Sequence, residues 1–397
     1  MPKTPPTPYC TACIRRKIQL FSLIIKENKV YIHQRSDWPH WTWDEKVLLP
    51  LISEIRHQQG LLLGKVKWIG FPLNLEAQLE IFALDILKSN AIEGNILNPE
   101  EVRSSIAKRL GLESAGLSPT THYVDGIVEM MLDATHQFSK EVTEERLFGW
   151  HNCLFPTGRS GMYKILVGTW RKDLDGPMQV VSGGMGREKI HFEAPPADRV
   201  PAEIECFIQW LNESQLEPLI KSALAHLWFV TIHPFEDGNG RIARALSDLL
   251  LTRSDQVPSR FYSISAQIEL QKKEYYRELE MAQRGDLNIT SWLQWYLSCL
   301  KSALNSSESL LEKIFVRSRF WEIHRETPLN ERQRYMLKKL LGDFTGKLKT
   351  AKWAKMCKCS HDTASRDIKD LIKQRILEKE DAGGRSTSYR LLLPATH

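Results

Sequence analysis

The longest uniformly apolar stretch runs from Leu219 to Val230, LIKSALAHLWFV. Its apolar positions leave no polar face, so the pattern predicts a buried helix rather than a surface one. A polar loop follows, HPFEDGNGR from His233 to Arg241, and then Ile242, Ala245, Leu246, Leu249 and Leu250 return at helical spacing. The pattern therefore predicts a loop between two helices, with the loop opening the second. Upstream, Leu48, Leu51, Ile52 and Ile55 mark a helix capped by Asp44 or Thr42. Before it, Trp38, Trp41 and Trp43 surround Pro39, which predicts an extended segment whose rings pack on the core. Leu79, Phe82, Ala83, Ile86 and Leu87 give one face of a helix from Glu76 to Asn90, closing in a turn at Gly94. Pro99 begins another helix, and Val124 to Phe138 is amphipathic. The β-branched, glycine-broken stretch 178–193 predicts a short hairpin, followed by a helix from Pro201 to Trp210. Lys273-Glu274-Tyr275-Tyr276 leads into one more helix, and Asp286 to Trp292 follows it.

Composition narrows the class. The chain has 397 residues, 42% hydrophobic and 26% charged, ordinary for globular protein and long enough for two or three domains. A net charge of +6 permits a nucleic-acid-facing patch without demanding one. The seven cysteines are scattered and odd in number, which argues for a reducing compartment rather than a disulfide framework. Cys10 and Cys13 form a CxxC, but no second pair sits at finger-like spacing, so no zinc site is expected. No apolar run approaches the roughly 20 residues of a membrane span. Arg15-Arg16-Lys17 and Ile18 to Ile25 mimic a short signal peptide, yet no small-residue cleavage site follows. The expected compartment is the cytoplasm, with no membrane partner.

The loop after the buried helix carries the chemistry. A helix start offers free N–H groups and the positive end of the dipole, a natural anion site. Gly238 and Gly240 let backbone approach a ligand, Asn239 adds an amide donor, and Arg241 and Arg244 add guanidiniums suited to phosphate oxygens. Asp237 is a hard oxygen ligand of the kind Mg²⁺ takes beside substrate phosphates, and His233 is a general-base candidate. Singly, a His before Pro reads as a cap and GNG as a turn. Together they read as a nucleotide-phosphate site with a base beside it.

The string from His233 to Arg241, with Arg244, resembles the signature of the Fic family, HPFx(D/E)GNGRxxR, at every fixed position. The resemblance implies AMP transfer from ATP to a Ser, Thr or Tyr hydroxyl of a target protein. His233 would be the base, Asp237 the Mg²⁺ ligand, and Phe235, Gly238, Asn239, Gly240, Arg241 and Arg244 the nucleotide-binding set, Asn239 on the α-phosphate. Ser89, Glu93 and Gly94 match the family's inhibitory motif, (S/T)xxxE(G/N), which implies that Glu93 pairs with Arg244 and blocks the ATP γ-phosphate. Tyr275 and Tyr276 resemble aromatics of the adenine pocket, though helix packing explains each equally well. The hairpin at 178–193 corresponds to the flap, which holds a target segment by strand pairing. A carboxylate beside the phosphates can also orient water onto an AMP–protein bond, so removal of AMP is a second expectation for Glu93. Dimerisation is a tendency of the family. Two alternatives stay open: a nucleotide-sensing DNA-binding regulator, and transfer of a different phosphate-containing group.

The C-terminal pattern is separate. Glu331 to Leu341, Thr350 to Lys358, and His361 to Gln374 behind a Ser360 cap predict three helices; 376–379 and 388–392 predict paired strands. This resembles a winged helix-turn-helix, with DNA expected at Ser360, Thr363, Ser365, Arg366 and Lys369 of the third helix and Arg385 of the wing. The organisation expected is an N-terminal extension over 1–28, a helical region with the inhibitory helix over 29–120, and a Fic catalytic core over 121–304. A linker helix or linker covers 305–329, with breaks at Ser306–Ser309 and Thr327-Pro328, and the winged domain covers 330–397. The fold class is mainly α, a Fic-fold helical bundle with a small hairpin flap.

Overall fold

The computed structural model describes residues 30–67, 71–111, 118–174, 176–183, 187–257, 260–342, 344–380 and 387–393. The chain divides into two compact units, 1–308 and 309–397. In the first, helices α1 (Glu45–Lys67), α2 (Phe71–Ile92), α3 (Pro99–Arg109), α4 (His122–His136) and α5 (Glu144–Leu154) come first. Two small hairpins follow, β1 (Arg159–Ser160) with β2 (Tyr163–Lys164), and β3 (Gln179–Ser182) with β4 (Lys189–Glu193). Helices α6 (Val200–Glu213), α7 (Pro218–Ile232), α8 (Asn239–Asp255), α9 (Ile264–Leu270) and α10 (Lys272–Arg284) complete the layout, and α11 (Thr290–Ile323) contains the unit boundary. The mainly helical class read from the sequence is the class observed.

The centre is α7. Every residue from Leu219 to Ile232 is buried, so the helix is surrounded on all sides, as its unbroken apolarity requires. Pro218 occupies its first turn and Glu217 caps it, accepting from the N–H groups of Leu219 and Ile220. The few polar residues of α7 all find partners: Ser222 meets the Tyr296 hydroxyl at 2.7 Å, and Thr231 donates to the Leu227 carbonyl at 2.7 Å. His226 lies between Ser247 and Tyr275, 3.2 and 2.9 Å away; burial drives its pKa down to about 3, so it is neutral.

Side-chain caps set several of the other helix starts. Asn98, Thr121, Thr143 and Ser263 each accept from a backbone N–H two or three residues on. Of the two caps expected for α1, Asp44 takes the role, accepting from the Lys46 N–H at 2.9 Å; Thr42 instead pairs its backbone with Leu287 and Ile289. The tryptophan segment differs from expectation. A 3₁₀ turn at Ile32–Gln34 and a further turn over 36–39 replace the extended chain, with a cis Trp38–Pro39 bond. The rings do pack on the core, Trp38 and Trp41 each meeting Trp228 edge-on near 6 Å, at 6.1 and 6.2 Å.

The serines at 306–309 do not break the chain. Helix α11 runs through them to Ile323 because the hydroxyls fold back onto their own helix: Ser302, Ser306 and Ser307 donate to the carbonyls four residues earlier at 2.8–2.9 Å.

The second unit is built from α12 (Glu331–Leu341), α13 (Thr350–Met356), α14 (His361–Lys373) and the antiparallel pair β5 (Leu377–Lys379) and β6 (Tyr389–Leu391). Phe320, Met336, Leu337, Trp353, Ile368 and Leu371 form its core. A capping box at Asn330 starts α12 and Ser360 caps α14.

Candidate active site

The His233–Arg241 loop joins α7 to α8, as its pattern required. His233 itself caps α7 in the left-handed conformation, φ 52° and ψ 57°, which turns the chain out of the helix and brings the imidazole to a cavity wall. Its Nδ1 donates to the Val230 carbonyl at 3.3 Å, leaving the lone pair on Nε2. Burial, and then the nearby Arg171 guanidinium, push its pKa down to about 4, so at neutral pH the ring is an unprotonated acceptor.

Two glycines are required by space. Gly238 has φ 85°, and a Cβ there would come within 2.9 Å of the Phe155 ring. At Gly240, in the first turn of α8, a Cβ would lie 2.3 Å from Glu93 Oε1. The Glu93 carboxylate is thus pressed onto the helix start where an anion would bind. It also accepts from Arg244 Nη2 at 2.8 Å, with the Arg244 side chain wholly buried and that of Glu93 27% exposed. Ser89 holds the same guanidinium from the other side, its hydroxyl accepting from Nε and its carbonyl from Nη2, both at 2.9 Å. Ser89, Glu93, Gly240 and Arg244 therefore meet, although they lie far apart in sequence.

Several expected ligand groups are turned elsewhere. Phe235 is fully buried, stacked on His151 with centroids 4.0 Å apart and beside Trp170 at 5.0 Å. Its ring anchors the loop from behind and does not line the cavity, because an apolar ring in a loop between two buried helices is drawn to the core. Asn239 lines the cavity, but its side chain staples the loop: Nδ2 donates to the Phe235 carbonyl at 2.8 Å and Oδ1 accepts from the Phe235 N–H at 2.9 Å. One of the two amide N–H donors is thus committed to the loop itself. Arg241 lies over the Phe155 ring, 5.0 Å away, donating to the Tyr123 hydroxyl at 3.2 Å. Tyr275 and Tyr276 both border the cavity; the Tyr275 hydroxyl points inward to His226, and Tyr276 donates to the Ile92 carbonyl at 3.4 Å.

Asp237 borders the same cavity. Its Oδ1 accepts from the Gly238 N–H at 2.6 Å, and Oδ2 accepts from the Ser160 hydroxyl of β1. A single accessible carboxylate, steadied in this way, fits Mg²⁺, which takes one or two carboxylates and completes its shell from phosphates and water. Among the described residues there is no group of three or more His, Cys, Asp or Glu side chains placed to hold a metal.

Arg171 and His151 carried no signal in the sequence. Arg171, buried, donates through Nε to the His233 carbonyl at 2.8 Å and through Nη2 to the Pro195 carbonyl, and pairs with Asp173. It ties the histidine to the foot of the β3–β4 hairpin. His151 supports the loop from below, with Nδ1 accepting from the Gly168 N–H and Nε2 donating to the Asp237 carbonyl, both at 3.2 Å. Glu236 accepts from the Leu166 N–H at 2.9 Å. The hairpin borders the cavity through Val180, Val181 and Phe192. An irregularity between Val180 and Val181 leaves His191 as the extra residue of β4. His191 bonds Ser182 at 2.6 Å and Glu280 at 2.5 Å, while Arg284 donates to the Ile190 and His191 carbonyls at 2.9 Å. The outer edge of β4 is therefore covered by α10.

In the second unit, Arg366 and Lys369 are exposed on α14, while Thr363 and Ser365 are half-buried. The exposed Ser360 accepts from the Thr363 N–H at 3.2 Å as the helix cap. Arg385 lies outside the described residues.

Residues 141–251 match the model of the Fic/DOC family, and residues 31–112 match a domain of unknown function, DUF4172. The chain is 28% identical over 233 residues to the protein adenylyltransferase Fic of Drosophila virilis, covering 58% of this chain and 43% of that protein. The likeness to the Drosophila melanogaster protein of the same name is also 28%, over 243 residues, covering 58% and 42%. The chain thus spans less than half the length of these curated relatives. Among solved structures, a Fic family protein from Desulfovibrio desulfuricans G20 aligns over 88% of this chain and 97% of its own, with a TM-score of 0.49 and 21% identity. With the matched stretch enclosing the whole loop from His233 to Arg244, this chain carries a Fic/DOC-family domain over residues 141–251.

Proposed function

We propose that this chain transfers AMP from ATP to a hydroxyl of a target protein and is restrained by Glu93. The observation that carries this reading is the Glu93 carboxylate seated against Gly240 and Arg244, on the cavity that His233 and Asp237 also border. A side-chain carboxylate there stands where phosphate oxygens are otherwise favoured. Arg244, neutralised by Glu93, is not free to pair with a γ-phosphate. When Glu93 withdraws, Arg241 and Arg244 hold the β- and γ-phosphates, and amides of the α8 start hold the α-phosphate. Asp237 would hold Mg²⁺, which would supply charge neutralisation on the phosphates. His233 Nε2 takes the proton of the target hydroxyl as its oxygen attacks the α-phosphorus; the bond to the β-phosphate oxygen breaks and pyrophosphate leaves. The target segment is held along β3. Its outer edge, among the described residues, makes no backbone bond to another segment, whereas that of β4 is covered.

The test uses ATP labelled on the α-phosphate with wild type, Glu93→Gly and His233→Ala. Label on protein with Glu93→Gly and none with His233→Ala is the expected result. A folded Glu93→Gly variant that binds ATP but transfers no α-label would overturn the reading and turn attention to another transferred group. The same carboxylate supports AMP removal, orienting water onto the AMP–protein bond while His233 protonates the leaving oxygen. Loss of removal in Glu93→Gly is expected; unchanged removal would sink this second activity.

The second unit is proposed to bind DNA through α14, supported by its exposed Arg366 and Lys369 and by the helix and strand order. Binding that weakens steeply with salt is expected; no binding at low salt would refute it.

A further inference from the structure

The inhibitory contact is the top rung of a longer ladder. Asp85, Ser89 and Glu93 recur every four residues along α2 and its closing turn, and Gly240, Arg244 and Asp248 recur every four along α8. The two series meet in antiparallel order. Glu93 lies on Gly240 and Arg244, and Ser89 bonds Arg244. Asp85 then stands beside Asp248, the same Arg260 Nη2 reaching both carboxyls.

This last rung has an unusual composition. Asp85 is 3% exposed and Asp248 0%, and two carboxylates share one guanidinium there. Arg260 Nη2 donates to Asp248 Oδ1 and lies 3.9 Å from Asp85 Oδ2. Ser263 donates its hydroxyl to Asp85 Oδ1. That accounts for one oxygen of each carboxyl. The other two, Asp85 Oδ2 and Asp248 Oδ2, are buried and lack a donor among the described residues. Two ionised carboxylates in this place would leave a net negative charge in the core and two oxygens unsatisfied, each a substantial penalty. One proton between the two oxygens removes both problems. Burial also pushes the Asp248 carboxyl well above the usual carboxylate range, opposed by Arg260 and reinforced by Asp85.

We propose that Asp85 and Asp248 share a single proton and, with Arg260, lock the register of α2 on α8, making them positioning residues for the inhibitory Glu93. Glu93 lies just beyond the last residue of α2, so its reach to Arg244 depends on where the helix stands along α8. A slip of one turn, about 5.4 Å, would carry the carboxylate out of range. Ser89 restrains that slip in part, and the acid pair completes the restraint from two turns below Glu93. The inference rests on the reading of Glu93 as inhibitory.

The test measures α-labelled AMP transfer by the full chain for wild type, Asp85→Ala, Asp85→Asn, Glu93→Gly and the Asp85→Ala/Glu93→Gly double variant. Asp85→Asn can accept from Ser263 and donate to an ionised Asp248, replacing the proton, so its transfer should stay near wild type. Asp85→Ala cannot, and its transfer should rise at least about fivefold, the lower end of typical coupling between sites. The double variant should equal Glu93→Gly. Rise in both Asp85 variants, or in neither while Glu93→Gly is active, would overturn the lock and leave the reading of Glu93 intact. An inert, folded Glu93→Gly would remove the foundation of both. A readout that needs no transfer, and no folding of Asp85→Ala, is the infrared difference spectrum of wild type against Asp248→Asn at neutral pH. A protonated-carboxyl stretch in wild type alone is expected, and its absence would refute the shared proton.

Discussion

Replacing Glu93 by glycine should cross two stability effects. Glu93 lies outside α2, so glycine there carries little helix-propensity cost. The loss is the bond from Arg244, whose wholly buried side chain keeps its two bonds to Ser89. A hydrogen bond between charged partners contributes about 1.5–3 kcal/mol. Because the Glu93 side chain is 27% exposed, solvent screening favours the lower part, about 2 kcal/mol. At roughly 2 °C per kcal/mol for a unit of this size, the nucleotide-free variant should melt about 4 °C below wild type. Saturating ATP with Mg²⁺ reverses the order. The released Arg244 can now take phosphate oxygens, and ligand at a hundred times its Kd adds about 2.7 kcal/mol. Wild type, its anion seat filled by its own carboxylate, should respond weakly to ATP. AMP has no γ-phosphate and should stabilise both proteins alike. Calorimetric scans with no nucleotide, with AMP and with ATP decide the matter. Equal ATP shifts in the two proteins, or an unchanged nucleotide-free melting temperature in the variant, would refute the reasoning.

Gly240→Ala should cost about 2 kcal/mol in wild type, since its methyl must expel the Glu93 carboxylate from Arg244, but much less in the Glu93→Gly background. Additive melting-temperature losses would contradict the contact. His233 should titrate near pH 4 in the nucleotide-free protein, read from its imidazole NMR signals. The sign follows from its lowered pKa: the folded state resists protonation, so the stability held by neutral His233 is lost as pH falls from the ordinary 6.5 through about 4. A midpoint at or above 6.5 would show that the ring is not desolvated. Arg366→Ala and Lys369→Ala should each lower the salt slope of DNA binding by about one unit per lost phosphate contact; an unchanged slope would remove α14 from the interface.

Much of the scaffold was readable because its signals are local. The apolar run of α7, the caps at Ser360 and Asp44, and the paired strands near 178–193 each depend on neighbours within a few residues. The serine cluster at 306–309 was misread because serine competes with helix hydrogen bonds in a coil but here turns its hydroxyls back onto the helix. Arg171, Ser160 and His151 were not legible at all. Their roles rest on partners 62, 77 and 86 residues away, joined only once the helices pack.

By itself the sequence determined the helical class, the loop between two buried helices, and the residue types that could serve a phosphate. Periodicity and capping are local, and the signature string is contiguous. Only the tertiary structure decided which way those residues face. Core burial drew Phe235 inward and left Asn239 closing its own loop, while the left-handed turn at His233 brought the base to the cavity. It also seated Glu93 on a helix start 147 residues later in number, a contact that the motif resemblance implied but that the periodicity of neither segment specifies. That contact depends on how α2 lies along α8, which the packing of the whole unit sets.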